Sequence, residues 1–201
     1  MSEERQERLE QLRDDRQDDE AFAYNFERSH TVEELSEHRG DPEEELPDQQ
    51  VSTAGRFMEI RNFGGIAFLD LRGETRDIQL VSEDEEVLEE LEDLYRGDII
   101  GVSGTLTYTD RDEFSLDIET IDILTRGLRQ IPSDYYGVED QETRYRDRTL
   151  HLVTDLEARQ EFASRSEAIS QMRVFLQKRG FMEVETPVIQ PVYGGANAEP
   201  F

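Results

Sequence analysis

Four side chains in one strand-rich stretch are of the types that bind single-stranded nucleic acid: Arg61, Phe68, Gln79 and Glu113. Aromatic rings stack on bases, cations bind phosphates, and amides or carboxylates contact base edges. The glutamate would accept hydrogen bonds from base or ribose donors. The ordinary alternative is that Phe68 is a core residue and the other three are solvated surface. Spacing alone leaves both interpretations open.

Positioning these side chains requires strands, and the pattern from Val51 onward predicts five. β-Branched and aromatic residues group into short segments that are separated by turn residues. The predicted strands are 51–63, 66–72, 77–82, 98–109 and 113–124. In the last strand the apolar alternation changes phase after Ile118, which predicts a β-bulge near Glu119 and Thr120.

A helix is predicted between the third and fourth strands, at 83–95. Ser82 followed by Glu85 fits a capping box, and Gly97 stands where a C-cap glycine is expected. The apolar stripe of this helix is Val87, Leu88, Leu91 and Leu94. Three strands, a helix and two strands is the element order of the OB-fold, a five-stranded Greek-key barrel that binds oligonucleotides. Other small barrels share this order.

The segment before the first strand predicts two helices and an acidic linker. Residues 1–20 favour helix but contain only two leucines as apolar anchors, so we expect a solvated helix or a partly disordered arm. Thr31 followed by Glu34 fits a second capping box, whose short helix would be ended by Gly40 and Pro42.

The segment after the last strand predicts a connector, a long helix and a strand. Residues 126–150 are polar and rich in arginine. A helix is expected over 155–179, with Gly180 ending it. Its apolar face is formed by Phe162, Ile169, Met172 and Leu176. Residues 181–191 then predict a strand, with Pro187 confined to its end or its edge.

The charge composition favours a protein that works in concentrated salt. Asp plus Glu number 49 against 22 Lys plus Arg, for a net charge of −27, and Lys178 is the single lysine. At about 1 M salt the Debye length is ~3 Å, so the self-repulsion of such a surface is screened. The alternative is an ordinary acidic protein with a disordered tail.

Composition also excludes several kinds of site. With no cysteine, the chain has no disulfide and no thiolate metal site. The three histidines lie far apart without metal-ligand spacing, and no apolar run approaches the ~20 residues of a membrane span. The first residues lack the apolar region of a signal peptide. We expect a soluble cytoplasmic protein without a membrane partner.

Several segments together resemble the class II lysyl-tRNA synthetases. They occur in that family's order and read AGRFMEIRNFGGIAFLDLR, GDIIGVSGTL, ILTRGLRQIP, ETRYRDRTLHL and RGFMEVETPVIQPVYGGANAEPF. The aspartate and asparagine enzymes share the barrel and the RYR connector but carry a different loop after the ETP segment. The resemblance covers the chain, with gaps, from about Phe22 to Phe201.

The resemblance implies roles for particular residues. A U-rich anticodon would be bound by Arg61, Phe68, Gln79 and Glu113, the same four residues chosen above on chemical grounds. Pro187 corresponds to the proline of motif 1, which is mainly a dimer interface in that family. The loop that contacts the substrate lysine corresponds to Gly194, Gly195 and Ala196. Two positions depart from the family pattern, since Asp112 stands where glycine is frequent and Glu199 where arginine is frequent.

The resemblance also implies the fold class and the whole protein's reaction. The fold would be α+β: a helical arm with an acidic linker (1–50), an OB-fold anticodon-binding domain (51–125), a connector (126–150) and the start of a class II catalytic domain (151–201). The complete, homodimeric enzyme would use ATP and Mg²⁺ to make lysyl-adenylate and transfer lysine to tRNA(Lys).

Motifs 2 and 3 of the class, with the ligands of ATP and Mg²⁺, are not in these 201 residues, so we expect this fragment to be inactive alone. One alternative is a free-standing OB-fold module that binds tRNA or single strands without catalysis. The other is an acidic protein that binds basic proteins. Reading the gene beyond Phe201 would discriminate the first alternative from a fragment of a synthetase.

Overall fold

A computed structural model of the chain describes residues 3–17, 23, 25–41, 46–47, 49–129, 131–132 and 137–188. The chain divides into two compact units, Met1–Arg159 and Gln160–Phe201, and each is described by itself. The strands are β1 (Gln50–Asn62), β2 (Ala67–Arg72), β3 (Asp77–Ser82), β4 (Ile99–Tyr108) and β5 (Phe114–Thr125). The helices are α1 (Glu3–Gln17), α2 (Val32–Ser36), α3 (Glu85–Leu91), α4 (Gln141–Arg146), α5 (Arg148–Thr154) and α6 (Leu156–Gln177).

The five strands form a closed barrel in the order β1-β2-β3-β5-β4. Four of the pairings are antiparallel and the β3–β5 pairing is parallel. Inward-pointing side chains from every strand fill the barrel, among them Leu69, Leu80, Ile100 and Leu116, all fully buried. Closure with α3 between β3 and β4 confirms the predicted five-stranded OB-fold within a mixed α and β chain.

The predicted β-bulge in the last strand is confirmed. Ser103 pairs with Thr120 while Gly104 pairs with Ile118, so Glu119 is the extra residue. A Cβ atom on Gly104 would lie 1.8 Å from the carbonyl oxygen of Asp117, so this close approach admits only glycine. A second irregularity, which the sequence pattern did not predict, lies in β1 between Phe57 and Glu59.

The start and end of α3 differ from the prediction. Its N-cap is Asp84, whose carboxylate accepts hydrogen bonds from the backbone N–H groups of Glu86 and Val87. Ser82 instead donates its hydroxyl proton to the carbonyl oxygen of Ile118 on β5. The helix ends at Leu91, so the C-cap prediction at Gly97 was wrong as well. Gly97 lies in the following turn with a φ of 105°.

Helix α1 confirms the helix predicted within residues 1–20 and is joined to the barrel by a buried ion pair. Arg8 Nη2 lies 2.5 Å from Asp98 Oδ1, and the two side chains are 5% and 0% exposed. The Arg8 guanidinium also lies 4.0 Å from the centre of the Tyr95 ring. Asp98 further accepts hydrogen bonds from the backbone N–H groups of Tyr95 and Gly127. An arm expected to be solvated or partly disordered is therefore anchored here.

Helix α2 begins with the predicted capping box between Thr31 and Glu34. It ends at Ser36, earlier than expected; Pro42 lies outside the described residues. Burial opposes ionisation of Glu33, but backbone hydrogen bonds from Thr75 and Arg76 outweigh it and lower the pKa of Glu33. The β2–β3 turn is thus held by α2.

Two short helices, α4 and α5, lie where the sequence predicted a connector and the start of the catalytic domain. Asp140 caps α4 and Asp147 caps α5. Arg72, buried at the end of β2, pairs with Asp77 and donates to the carbonyl oxygen of Val153 in α5. This arginine attaches α5 to the barrel.

The long helix is confirmed as α6, and the strand after it is not. The Gly180 N–H donates to the carbonyl of Gln177 and the Phe181 N–H to that of Leu176, with a φ of 83° at Gly180, as in a Schellman motif. Residues 181–188, which include Pro187, form no strand. A strand needs a neighbouring backbone to bond, and the described part of the chain provides none there. The remainder of that prediction, 189–191, lies outside the described residues.

Candidate nucleic-acid interface

The outer side of β1, β2 and β3 brings three of the four candidate residues together. Arg61 on β1 is paired with Phe68 on β2. Asp70, two residues further along β2, is paired with Gln79 on β3. Because Leu69 points into the core, its neighbours Phe68 and Asp70 point outward. We call the outward side chains Arg61, Phe68, Asp70 and Gln79 the β1–β3 face.

Phe68 lies outside the hydrophobic core. It is half-buried and belongs neither to the buried core cluster nor to the partly buried residues packed on it. Its ring makes an edge-to-face contact with the ring of Phe63, with 6.2 Å between the centroids. The interpretation of Phe68 as a core residue is therefore wrong, and its ring belongs to the barrel's outer surface.

Arg61 forms an ion pair on this face that the sequence did not predict. Its Nη2 atom lies 3.1 Å from Asp70 Oδ1, and the two side chains are 46% and 34% exposed. A pair this open to solvent contributes about 0–1 kcal/mol. Releasing Arg61 from Asp70 would therefore cost little. A signal for this ion pair was present in the sequence, since Arg61 and Asp70 are opposite charges at diagonal positions on two consecutive strands.

Gln79 and Glu113 line one small cavity of about 110 Å³ beside this face. Ser36, Arg39, Asp77, Ile78 and Phe114 complete its lining. The side-chain amide nitrogen of Gln79 is buried and has no hydrogen-bond partner among the described residues. A buried, unpaired amide costs about 1–3 kcal/mol, which an acceptor brought within hydrogen-bond reach of it would recover.

Glu113 reaches the cavity because of the turn that precedes β5. Asp112 adopts a φ of 59°, the left-handed region that glycine favours, and aspartate tolerates it better than most residues. The Asp112 N–H donates to the carbonyl of Thr109, and Thr109 and Glu113 bond to each other. Asp112 therefore adopts the left-handed backbone conformation that a glycine at this position would favour.

The other predicted site residues fall in the second unit or outside the described residues. Pro187 is exposed in the second unit, and Gly194, Gly195, Ala196 and Glu199 lie outside the described residues. Among the described residues, no group of three or more histidine or acidic side chains is placed to hold a metal ion. Nor does any described helix combine the length and apolar character needed to cross a membrane.

Comparison with known proteins gives two family matches and close relatives. Residues 51–124 match the OB-fold nucleic acid binding domain, and residues 140–201 match the class II tRNA synthetases for D, K and N. The chain is 38% identical over 185 residues to a lysine–tRNA ligase of Methanoculleus marisnigri, covering 90% of the chain and 36% of that protein. It is 38% identical over 204 residues to a lysine–tRNA ligase of Lactococcus lactis subsp. cremoris, covering 98% and 41%. The chain thus spans about two fifths of the length of these relatives.

Proposed function

Since the chain belongs to the lysine–tRNA ligase family, with that family's OB-fold and the beginning of its class II synthetase domain, we propose that it carries anticodon recognition for such a ligase. The observation that carries this proposal is the β1–β3 face. A half-buried ring outside the core, an exchangeable cation and an unpaired amide occur there together on an OB-fold. These are the groups that single-stranded RNA requires.

The cavity beside this face suits uracil better than cytosine. Uracil presents two carbonyl oxygens and the N3–H donor between them. The Gln79 amide nitrogen could donate to a carbonyl oxygen, while the Glu113 carboxylate could accept from N3–H. With the Gln79 amide on the 4-position, cytosine in the same orientation would present its amino donor to the amide and its unprotonated N3 to the carboxylate, so both groups would face the wrong partner. Mismatched buried polar groups are costly, which favours a U-rich anticodon.

We propose that the whole protein activates lysine with ATP and Mg²⁺ to lysyl-adenylate and transfers lysine to tRNA(Lys) in the cytoplasm. ATP and Mg²⁺ would be bound by residues outside this chain and would supply the charge stabilisation of the phosphoryl displacement. Gly194, Gly195 and Ala196 would contribute to the loop around the substrate lysine. Pro187 and the exposed apolar side chains of α6 would belong to a homodimer interface.

We also propose the domain limits drawn from the sequence. They are an arm and linker over 1–50, an anticodon-binding domain over 51–125, a connector over 126–150 and the start of the catalytic domain over 151–201. Without motifs 2 and 3, this 201-residue polypeptide should show no lysine-dependent exchange between ATP and pyrophosphate.

The experiment that tests anticodon binding is fluorescence anisotropy with a labelled stem-loop whose anticodon is UUU. We expect the chain to bind it, and Phe68→Ala to weaken binding by about 1–3 kcal/mol, the stacking energy of one base. Tyr145→Ala is the matched control, because it also removes an aromatic ring, in this case one exposed on α4. Equal affinities of the Phe68→Ala and Tyr145→Ala variants would contradict the proposal.

A further inference from the structure

We propose that Phe63 is a second stacking platform, which binds the base next to the one on Phe68. The inference rests on the proposed function and extends it by one residue and one nucleotide. Phe63 follows Arg61 by two positions and lies at the end of the β1–β2 hairpin. No role was assigned to it from the sequence.

The first argument is exposure. Phe63 is 64% exposed, and of the large exposed apolar side chains in the described residues it is the one carried by the barrel. The other large apolar residues of β1 and β2 are buried or half-buried. A phenylalanine left in water beside a binding face has apolar area that a base can cover.

The second argument is the arrangement of the two rings. Phe63 and Phe68 meet edge to face, with 6.2 Å between centroids and 63° between planes. Two bases stacked on rings inclined in this way cannot remain stacked on each other. Splayed, unstacked bases are the form in which single-stranded loops of RNA are recognised by protein. The ring pair therefore fits two adjacent nucleotides that have been separated.

The third argument is the hairpin turn, which holds Phe63 firmly and leaves room for a ligand. The Phe63 N–H donates to the carbonyl of Ile66 at 2.9 Å. Gly64 and Gly65 have φ values of 57° and 112°, and positive φ at both central residues is characteristic of tight hairpin turns. Cβ atoms added to either glycine would meet nothing within 4 Å. The space beside both glycines is therefore open to a ligand.

The test combines protein variants with abasic RNA. Affinities for the UUU stem-loop are measured by anisotropy for the unaltered 201-residue chain and for Phe63→Ala, Phe63→Leu and Phe68→Ala. Each measurement is repeated with an abasic site at each anticodon position and at each flanking position. A base that stacks on a ring is identified by the abasic position at which the effect of removing that ring disappears.

We expect Phe63→Ala to weaken binding about 5- to 150-fold, the range for loss of one stacked base. Phe63→Leu should recover only part of this, since leucine covers a base edge without offering a flat face. The Phe63→Ala effect should disappear at a position adjacent to the one that abolishes the Phe68→Ala effect.

Two results would overturn the inference while sparing the proposed function. One is normal binding by Phe63→Ala when Phe68→Ala binds weakly. The other is that the Phe63→Ala effect disappears at the same abasic position that abolishes the Phe68→Ala effect, or disappears at no abasic position. Phe63 would then only support Phe68 or the turn. If neither Phe63→Ala nor Phe68→Ala weakens binding, the proposed function itself fails.

Discussion

The guanidinium of Arg8 and the carboxylate of Asp98 form a buried ion pair across 90 residues of sequence. Asp98 lies immediately before β4, where it also accepts hydrogen bonds from the N–H groups of Tyr95 and Gly127. One carboxylate therefore joins the N-terminal helix, the turn after α3 and the segment that leaves the barrel. The pair gives α1 a structural role in the first unit.

Arg8→Ala should destabilise the first unit by about 3–5 kcal/mol, because it leaves Asp98 buried without its cationic partner. The midpoint of thermal unfolding, followed by circular dichroism, would measure this. Arg13→Ala is the matched control, since Arg13 is exposed on the same helix. The difference between the two variants should persist at molar salt because buried pairs are little screened. Equal stability of the two variants would show that the pair contributes nothing.

Binding of the UUU stem-loop should hold steady or tighten as potassium chloride rises to about 1 M. The acidic surface repels RNA at low salt, and screening removes that repulsion. Arg61 is the one cation of the β1–β3 face, so few phosphate contacts are available to be lost. The affinity for the stem-loop is measured at a series of salt concentrations, for the parent chain and for Arg173→Ala. Arg173 forms an exposed ion pair with Glu183, so this variant shows how far the loss of such an arginine alone changes the dependence of affinity on salt. A steep fall in affinity with salt would place binding on a different, basic surface.

Gln79→Ala should reduce discrimination between uracil and cytosine more than it reduces affinity for uracil. The amide adds no charge, its nitrogen has no partner among the described residues, and the Gln79 side chain lines the cavity. The difference in binding free energy between stem-loops with U and with C should fall by about 1–3 kcal/mol at one anticodon position, the typical contribution of a specific base contact. Phe68→Ala, by contrast, should leave that difference nearly unchanged. A Gln79→Ala variant that weakens every sequence equally would assign the residue to non-specific binding.

Glu33→Gln should destabilise the barrel by about 1 kcal/mol at neutral pH, because a charged acceptor for the N–H groups of Thr75 and Arg76 is lost. The pKa of Glu33 is lowered in the folded state. Its ionised form therefore stabilises the fold fully above the unfolded-state pKa, and this stabilisation is lost as pH falls through the folded-state pKa.

The difference in unfolding free energy between the parent chain and Glu33→Gln should accordingly shrink on acidification. Urea unfolding at a series of pH values would measure it. Glu37→Gln, exposed just after the same helix, is the control. A difference that is independent of pH would show that the charge of Glu33 is not what holds the β2–β3 turn.

Features that depend on neighbouring residues were predictable from the sequence by itself. The capping box at Thr31 and Glu34, the Gly180 helix end and the Glu119 bulge all follow from contacts within a few residues or from strand alternation. The chemical types at Arg61, Phe68, Gln79 and Glu113 also marked these residues as a set to examine, because each type has a limited repertoire of ligands.

Only the tertiary structure decided which distant groups meet. Ser82 and Asp84 can both cap a helix, and barrel closure assigns the cap to Asp84 by engaging Ser82 with Ile118. Closure likewise places Gln79 beside Glu113. Of the strand expected at 181–191, the described part, 181–188, forms none, because strand formation depends on a partner backbone, which local sequence does not reveal. Local energies determine helix caps, turns and alternation, whereas burial and pairing between distant segments depend on how the whole chain packs.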